Sequence, residues 1–356
     1  MPKVSPGDRP VLPAFSIAID GQVLPPVTAS HVLAVTVDDD VGLPRMCSFD
    51  LAGSDDQKGK WPWVDEELFA IGGALEVKLG YPGALRTVFQ GEITALEPDF
   101  GLDHLPNLTV RGYDRLHWLQ RGRRTRTFTQ QKDSDAAARI AGEAGLSPDT
   151  VDSGVTHDYL VQANQSDFEF LSQRAARIGY ELLADGRKLL FRPVRSAASA
   201  GITLAFASDL VQFRPRLTAC GQVDEVSVRR WSVKDKEQAP GKAGAGDEWS
   251  SMGGRRTGPA LVTDAFGAAA DPVTAFAPAS QAEADQLTKA LFNDRALDFI
   301  TGEGICWGRA DLQAGTVVRI ADIGKRFSGP YYVSRVAHRY SRDGYLTEFS
   351  VRRNAS

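Results

Sequence analysis

A chain of 356 residues with 42% hydrophobic content is too long for one ordinary core and has enough apolar side chains to fill two to four packed units. No apolar run approaches the roughly 18 residues a membrane span needs. The N-terminal MPKVSPGDRPVLPAF is too poor in apolar residues for a secretory signal, and the formal charge of −4 argues against wholesale nucleic-acid binding. Cys47, Cys220 and Cys306 are odd in number and widely spaced, with no C-x-x-C, which predicts buried free thiols in a reducing compartment.

Residues 1–114 read as β-rich. Alternation in Phe15 to Ile19 ends at Asp20-Gly21, and further strands are predicted at Val32 to Val37, Cys47 to Leu51, Leu75 to Leu79, Val88 to Leu96 and Leu108 to Val110. Short strands at turn-separated intervals suggest a barrel or sandwich. Residues 115–198 form a separate α+β unit. Asp133 or Ser134 can cap a helix from Ala136 to Ala144 that Gly145 ends.

The segment Val161 to Pro193 is the most sharply defined. Ser166 and Glu169 stand in the capping-box relation, in which the hydroxyl and the carboxylate each satisfy an orphan amide of the first turn. Phe168, Leu171, Ala175 and Ile178 then share one helix face, and Gly179 supplies the left-handed stop. Strands Tyr180 to Leu183 and Leu189 to Phe191 flank Asp185-Gly186, a type I′ hairpin signal.

Strand patterning returns over residues 199–233, at Leu204 to Phe206 and Gln222 to Val233. It breaks at Lys234 to Pro259, a Gly- and Ala-rich stretch expected to be a mobile loop. Residues 234–299 are therefore an insertion. Within it a second capping box, Ser280 with Glu283, opens a helix through about Phe299, and residues 300–356 resume the β pattern.

The two β-rich regions share an order of elements. Ala74 to Gly80, Val88 to Ile93 and Leu108 to Arg111 have counterparts in Thr316 to Ile320, Phe327 to Val333 and Thr347 to Arg352. In each, an alternating strand precedes an aromatic-x-Gly element, a second strand and a final strand. Either a duplicated barrel or the common grammar of antiparallel sheets produces such a pattern.

Residues Asn164-Gln-Ser-Asp-Phe-Glu-Phe-Leu171, followed by Arg174-Ala, Ile178-Gly-Tyr-Glu181 and a hairpin, resemble the phage late-control D family of tail hub proteins. The resemblance extends through Phe89 to Ile93, Val110 to Asp114, and Ala314 to Val333, most of the chain. It implies an α+β, mainly antiparallel-β fold with two similar tube-type barrels, an intervening α+β domain and an inserted helix and loop. It also implies a homotrimer that presents six barrels in a ring, sixfold towards the tail tube and threefold towards a spike. The chain stops soon after Arg353, whereas type VI secretion spike proteins, whose hub half is similar, continue into a needle. The spike is thus expected to be a separate polypeptide. Expected partners are the tube protein, the spike, and LysM-type tail or baseplate proteins, with no membrane and no specific nucleic acid. The expected location is the cytoplasm during assembly, then a phage tail or injection-system particle.

Ring contacts are expected at the hairpin tips Gly80-Tyr81-Pro82-Gly83 and Asp322-Ile323-Gly324-Lys325. Gly91 and Gly329 are read as close-approach points whose substitution would disrupt assembly more than folding.

Catalytic signals are sparse. The sequence has no H-E-x-x-H, G-x-S-x-G or Walker motif, and its five His residues (31, 104, 117, 157, 338) lack ligand spacing. Neither enzyme activity nor a cofactor is expected. Asp38, Asp39 and Asp40 read as a solvated turn, with a glycosidase pair as the sharper possibility. Arg121, Arg123, Arg124, Arg126 and Lys132 read as a strand facing acidic neighbours or a partner rather than nucleic acid. The competing functions are a tail-associated peptidoglycan hydrolase and a carbohydrate-binding tail accessory.

Overall fold

The computed structural model describes residues 12–53, 63–101, 106–231, 238–274 and 278–356. His104 and residues 234–237 of the expected loop lie outside them. The chain is α+β and mainly antiparallel β, with one 13-stranded sheet winding through two barrels.

The first barrel contains β1 (Ala14–Ile19), β2 (Gln22–Val23), the short helix α1 (Pro26–Ser30), β3 (Val32–Asp40), β4 (Met46–Leu51), β5 (Ala74–Gly80), β6 (Arg86–Asp99) and β7 (Asn107–Tyr113). The pairings run β3-β4-β7-β6-β5-β1, all antiparallel. Period-two alternation turns Val35, Val37, Phe49, Leu51, Leu75, Val77, Leu108 and Val110 into one core.

The middle unit follows with α2 (His117–Gln120), β8 (Arg124–Lys132), α3 (Asp133–Glu143), β9 (Ser147–Thr150), β10 (Thr156–Gln165), α4 (Asp167–Ile178), β11 (Tyr180–Asp185) and β12 (Lys188–Pro193). At the start of α4, Ser166 Oγ accepts from the Glu169 amide while the Glu169 carboxylate accepts from the Ser166 amide. Gly179 closes the helix at φ +68°. The α4 face of Phe168, Phe170, Leu171, Ala175 and Ile178 packs on Phe128, Ile140, Leu182 and Phe191.

Two local expectations shift here. Asp185 pairs with Lys188, so the turn residues are Gly186 and Arg187. Only Gly186 has positive φ, which is the type II′ pattern and not type I′. At the start of α3 the Asp135 carboxylate accepts from the Lys132 amide at 3.0 Å, while the Asp133 carboxylate is held by Arg174 and His157.

The second barrel comprises β13 (Ile202–Ala205) and β14 (Leu210–Leu217), then, after the insertion, β18 (Ile300–Trp307), β19 (Val317–Ala321), β20 (Gly329–Ser341) and β21 (Gly344–Arg353). Between them lie β15 (Glu225–Trp231), β16 (Gln238–Gly244), α5 (Gly258–Phe266), β17 (Ala270–Val273) and α6 (Gln281–Leu297). Of the strand expected over 222–233, Glu225–Trp231 joins β16 and β17 in a separate three-stranded sheet, not the barrel, and residues 232–233 lie outside the described residues. Part of the expected loop is therefore strand. Its small residues let α6 lie directly on β16, since a Cβ on Gly241 would come within 2.6 Å of the Ala284 backbone.

The second barrel repeats the first rung by rung. Its pairings run β14-β18-β21-β20-β19-β13, with only the last parallel where β5-β1 is antiparallel. Both bulges recur. Leu33 is skipped between Val32 and Ala34 of β3, as Val211 is between Leu210 and Gln212 of β14. Thr94 is skipped in β6 as Ser334 is in β20. This register equates Ile93 with Val333, Val37 with Pro215, Asp38 with Arg216 and Val110 with Phe349. It also corrects the glycine comparison: Gly91 is equivalent to Tyr331, and Gly329 to Phe89.

Candidate assembly interface

The two barrels meet edge to edge. Beyond its pairing with β19, β20 continues and takes β3 on its free side, from Arg335 opposite Asp40 to Ser341 opposite Ala34. The three aspartates are thus rungs of a seam and not a turn. Asp39 points inward, 7% exposed, and accepts from Arg45 Nη2 at 3.0 Å and from the Ala314 amide at 3.0 Å, while Asp38 accepts from Arg335 at 3.0 Å. The alternating pattern that ends in these aspartates was the available signal, because a strand with one buried carboxylate needs a buried cation across it. Ala310 and Tyr345 of the second barrel also enter the core of the first.

Behind the seam, three units converge on a cavity of about 120 Å³ lined by Arg45, Gln90, Asp114, Asp185 and Gln313. Asp114 accepts from the amides of Arg45 and Leu116, yet burial pushes its carboxyl up to about 6. A second buried set ties the middle unit to the second barrel. Glu181 accepts from the Tyr332 hydroxyl at 2.5 Å and from Arg192 at 2.7 Å, and burial raises its carboxyl. A third ties it to the insertion. Asp133 bonds His157 and Arg174, and Glu283 accepts from Arg177 at 3.0 Å. Glu283 also accepts from the Ala279 amide, while Ser280 Oγ accepts from the Glu283 amide, so this capping box is displaced by one residue. Charged pairs so deeply placed are costly to break, and they fix the units against one another.

The expected tips lie at equivalent β5–β6 and β19–β20 turns but differ in exposure. Tyr81 is turned inward, its ring 6.5 Å from that of Tyr345 in the second barrel, and a Cβ on Gly80 would meet the Ala84 carbonyl oxygen at 2.5 Å. At the other turn Asp322 takes φ +62°, Ile323 and Phe327 pack on the core, and Gly324 is exposed. Gly91 and Gly329 are internal contacts. A Cβ on Gly91 would overlap the Tyr113 carbonyl, and one on Gly329 would lie 2.7 Å from the Arg353 guanidinium. A side chain at either position would have to displace a group of the chain itself, so a cost in folding is expected beside any effect on assembly.

The basic strand is neutralised at home. Arg126 pairs with Glu143 and Asp167, Arg124 with Glu143, Arg123 with Glu169 and Lys132 with Asp152. His157 and His338 are buried; His338 faces the Tyr345 hydroxyl at 2.9 Å, and burial lowers its pKa to about 4. Cys47 and Cys306 are buried thiols, but Cys220 is exposed because it sits in the turn after β14. Among the described residues no three His, Cys, Asp or Glu side chains converge as a metal site.

The fold is similar to that of the 43 kDa tail protein of prophage MuSo2 from Shewanella oneidensis, with TM-score 0.70, 12% identity and coverage of 96% of this chain and 98% of that one. It is also similar to a tail protein from Neisseria meningitidis MC58, with TM-score 0.68, 14% identity and 96% of each chain covered. A component of the Escherichia coli type VI secretion system, described as similar to the bacteriophage T4 tail proteins gp27 and gp5, matches at TM-score 0.58 and 14% identity, over 96% of this chain and 77% of that one. At these identities the likeness is one of fold, and it is the fold implied by the tail-hub resemblance. No curated protein matches the chain in sequence. The model of the family described as Alg8 N-terminal domain matches residues 10–342, and the chain belongs to that family.

Proposed function

We propose that the chain is a structural hub of a contractile tail or injection system. It forms a homotrimeric ring of six quasi-equivalent barrels that joins a hexameric tail tube to a separately encoded trimeric spike. The observation that carries this reading is the shared strand order and matching register of the two barrels, two bulges included, with the two joined edge to edge. Two barrels of one design in each of three chains present six similar faces on one side of a ring and three unlike faces on the other, which is what a symmetry adaptor needs. The tail-protein and type VI neighbours support the same reading at the level of fold.

The mechanism is assembly, governed by buried area and edge complementarity and not by turnover. The buried ion pairs link secondary-structure units, which suits a rigid scaffold. Assembly in the cytoplasm, followed by residence in a tail particle, with LysM-type baseplate proteins as further neighbours, belongs to the same proposal. The test is to mix the purified chain with tail-tube subunits and with spike protein. Complexes with both are expected. Binding to neither, together with release of sugars from peptidoglycan, would favour a tail-borne hydrolase instead.

A further inference from the structure

The duplicated register leaves two edges without strand partners among the described residues. In the first barrel, β3 is the outer strand and is covered by the far half of β20. Its counterpart in the second barrel, β14, pairs with β18 on one side and is open on the other from Arg214 to Leu217. The counterpart of the far half of β20 is the far half of β6. Past Ile93, that segment pairs with β7 only. Each open edge is thus the equivalent of one lip of a seam the chain already makes internally.

We propose that the β14 edge of one copy lies against the far half of β6 in a second copy, in the register of the internal β3–β20 seam. This rests on the ring reading above and names the contact that closes the ring. Transferring the register places Leu217 opposite Leu96, Arg216 opposite Glu97, Pro215 opposite Pro98 and Arg214 opposite Asp99. The charges match, and they are reversed relative to the internal seam. There the outer strand is acidic, with Asp38 and Asp40, and the receiving strand is basic, with Arg335 and Arg339. Here the outer strand carries Arg214 and Arg216, both exposed, and the receiving strand carries exposed Glu97 and Asp99. Glu97 already accepts from Arg111 at 2.9 and 2.8 Å, so it is held extended at the edge.

The reversal sets specificity. The β14 edge would meet like charge if it approached a β20 strand, and an acidic β3 edge would meet like charge on β6. The prolines set strength. Neither Pro98 nor Pro215 has an N–H, so the middle rung of the ladder lacks its hydrogen bonds and the contact rests on charge pairs and the flanking leucines. It is therefore weaker than the internal seam and sensitive to salt. Because the β14 and β6 surfaces differ, the contact is heterologous and propagates from copy to copy until the ring closes.

The test uses the full chain with Cys220→Ser, so that no exposed native thiol remains. Directly opposed residues have Cβ atoms about 4.5–5.5 Å apart, within disulfide reach. Glu97→Cys with Arg216→Cys should therefore cross-link chains into a covalent trimer on mild oxidation. Glu97→Cys with Glu303→Cys, one strand further in, should not. Arg214→Glu with Arg216→Glu should weaken self-association at least tenfold, and adding Glu97→Arg and Asp99→Arg in the same chain should restore it. A trimer by native mass that forms no Glu97–Arg216 link, or links equally to position 303, would overturn this contact and leave the ring reading standing. A chain that stays monomeric and unlinked at every concentration, with and without tube subunits, would overturn both.

Discussion

Along one cross-strand row the first barrel places Val35, Phe49 and Val110, where the second places Phe213, Gly304 and Phe349. The large side chain moves from the middle strand to its two neighbours, and glycine makes the room: a Cβ on Gly304 would overlap the Phe349 ring. On the neighbouring strand, Phe89 and Gly91 stand where the second barrel has Gly329 and Tyr331. Backbone register is thus kept while volumes are exchanged between neighbouring positions. A core constrains total volume and period more tightly than it constrains which strand supplies the bulk. The edges differ as much as the cores, since one outer strand is acidic and covered while the other is basic and, among the described residues, has no strand on its outer side.

The covered edge should be the most sensitive place to break this pattern. Asp39→Ala would leave Arg45 partly buried beside an empty site, and a loss of about 3–5 kcal/mol is expected in urea unfolding. The exchanged row comes next. Gly304→Val should cost about 3 kcal/mol by overpacking, and Phe349→Val in the same chain should return part of it. A double variant no more stable than the single one would count against exchange of volume along this row.

His338, on the receiving strand of the seam, gives a pH signature. Its folded pKa of about 4 lies below the unfolded value of about 6.5, so the unfolded chain takes up the proton first. On its own, His338 should therefore lower stability as pH drops from about 6.5 to about 4, by on the order of 3 kcal/mol at the low end, while Asp114, its carboxyl raised by burial to about 6, contributes with the opposite sign below that pH. Asp39, Arg45 and Asp311 set the field around the ring. His338→Gln cannot take up the proton, so the difference in unfolding midpoint between it and the wild type should move in the variant's favour as pH falls across that window. The smallest expected effect is local: Ser166→Ala removes the cap of α4 and should cost about 1 kcal/mol in thermal unfolding, leaving both barrels unchanged.

What was legible in the sequence was what is local. The cap of α4, its apolar face and its glycine stop depend on residues within one helix, and the order of strands in the two barrels shows in their alternation. Long-range partners were not legible. Asp133 looked like a cap until Arg174 and His157 claimed its carboxylate, and Asp38 to Asp40 looked solvated until β20 came alongside. The aromatic-x-Gly likeness pointed to a real duplication through the wrong rungs, because register is set by pairing across strands and not by order along one. Gly91 and Gly329 are points of close approach, as their sequence context suggests, but the groups they approach, Tyr113 and Arg353, belong to the same chain. The Gly- and Ala-rich run that read as a loop is in part a strand, since small residues serve close helix approach as well as turns.

The most direct measurement is the native mass of the purified chain, with electron-microscope class averages of the species found. The account predicts a trimeric ring with six similar lobes, formed by the chain alone or on addition of tube or spike protein. A monomer that remains single beside both partners would contradict it.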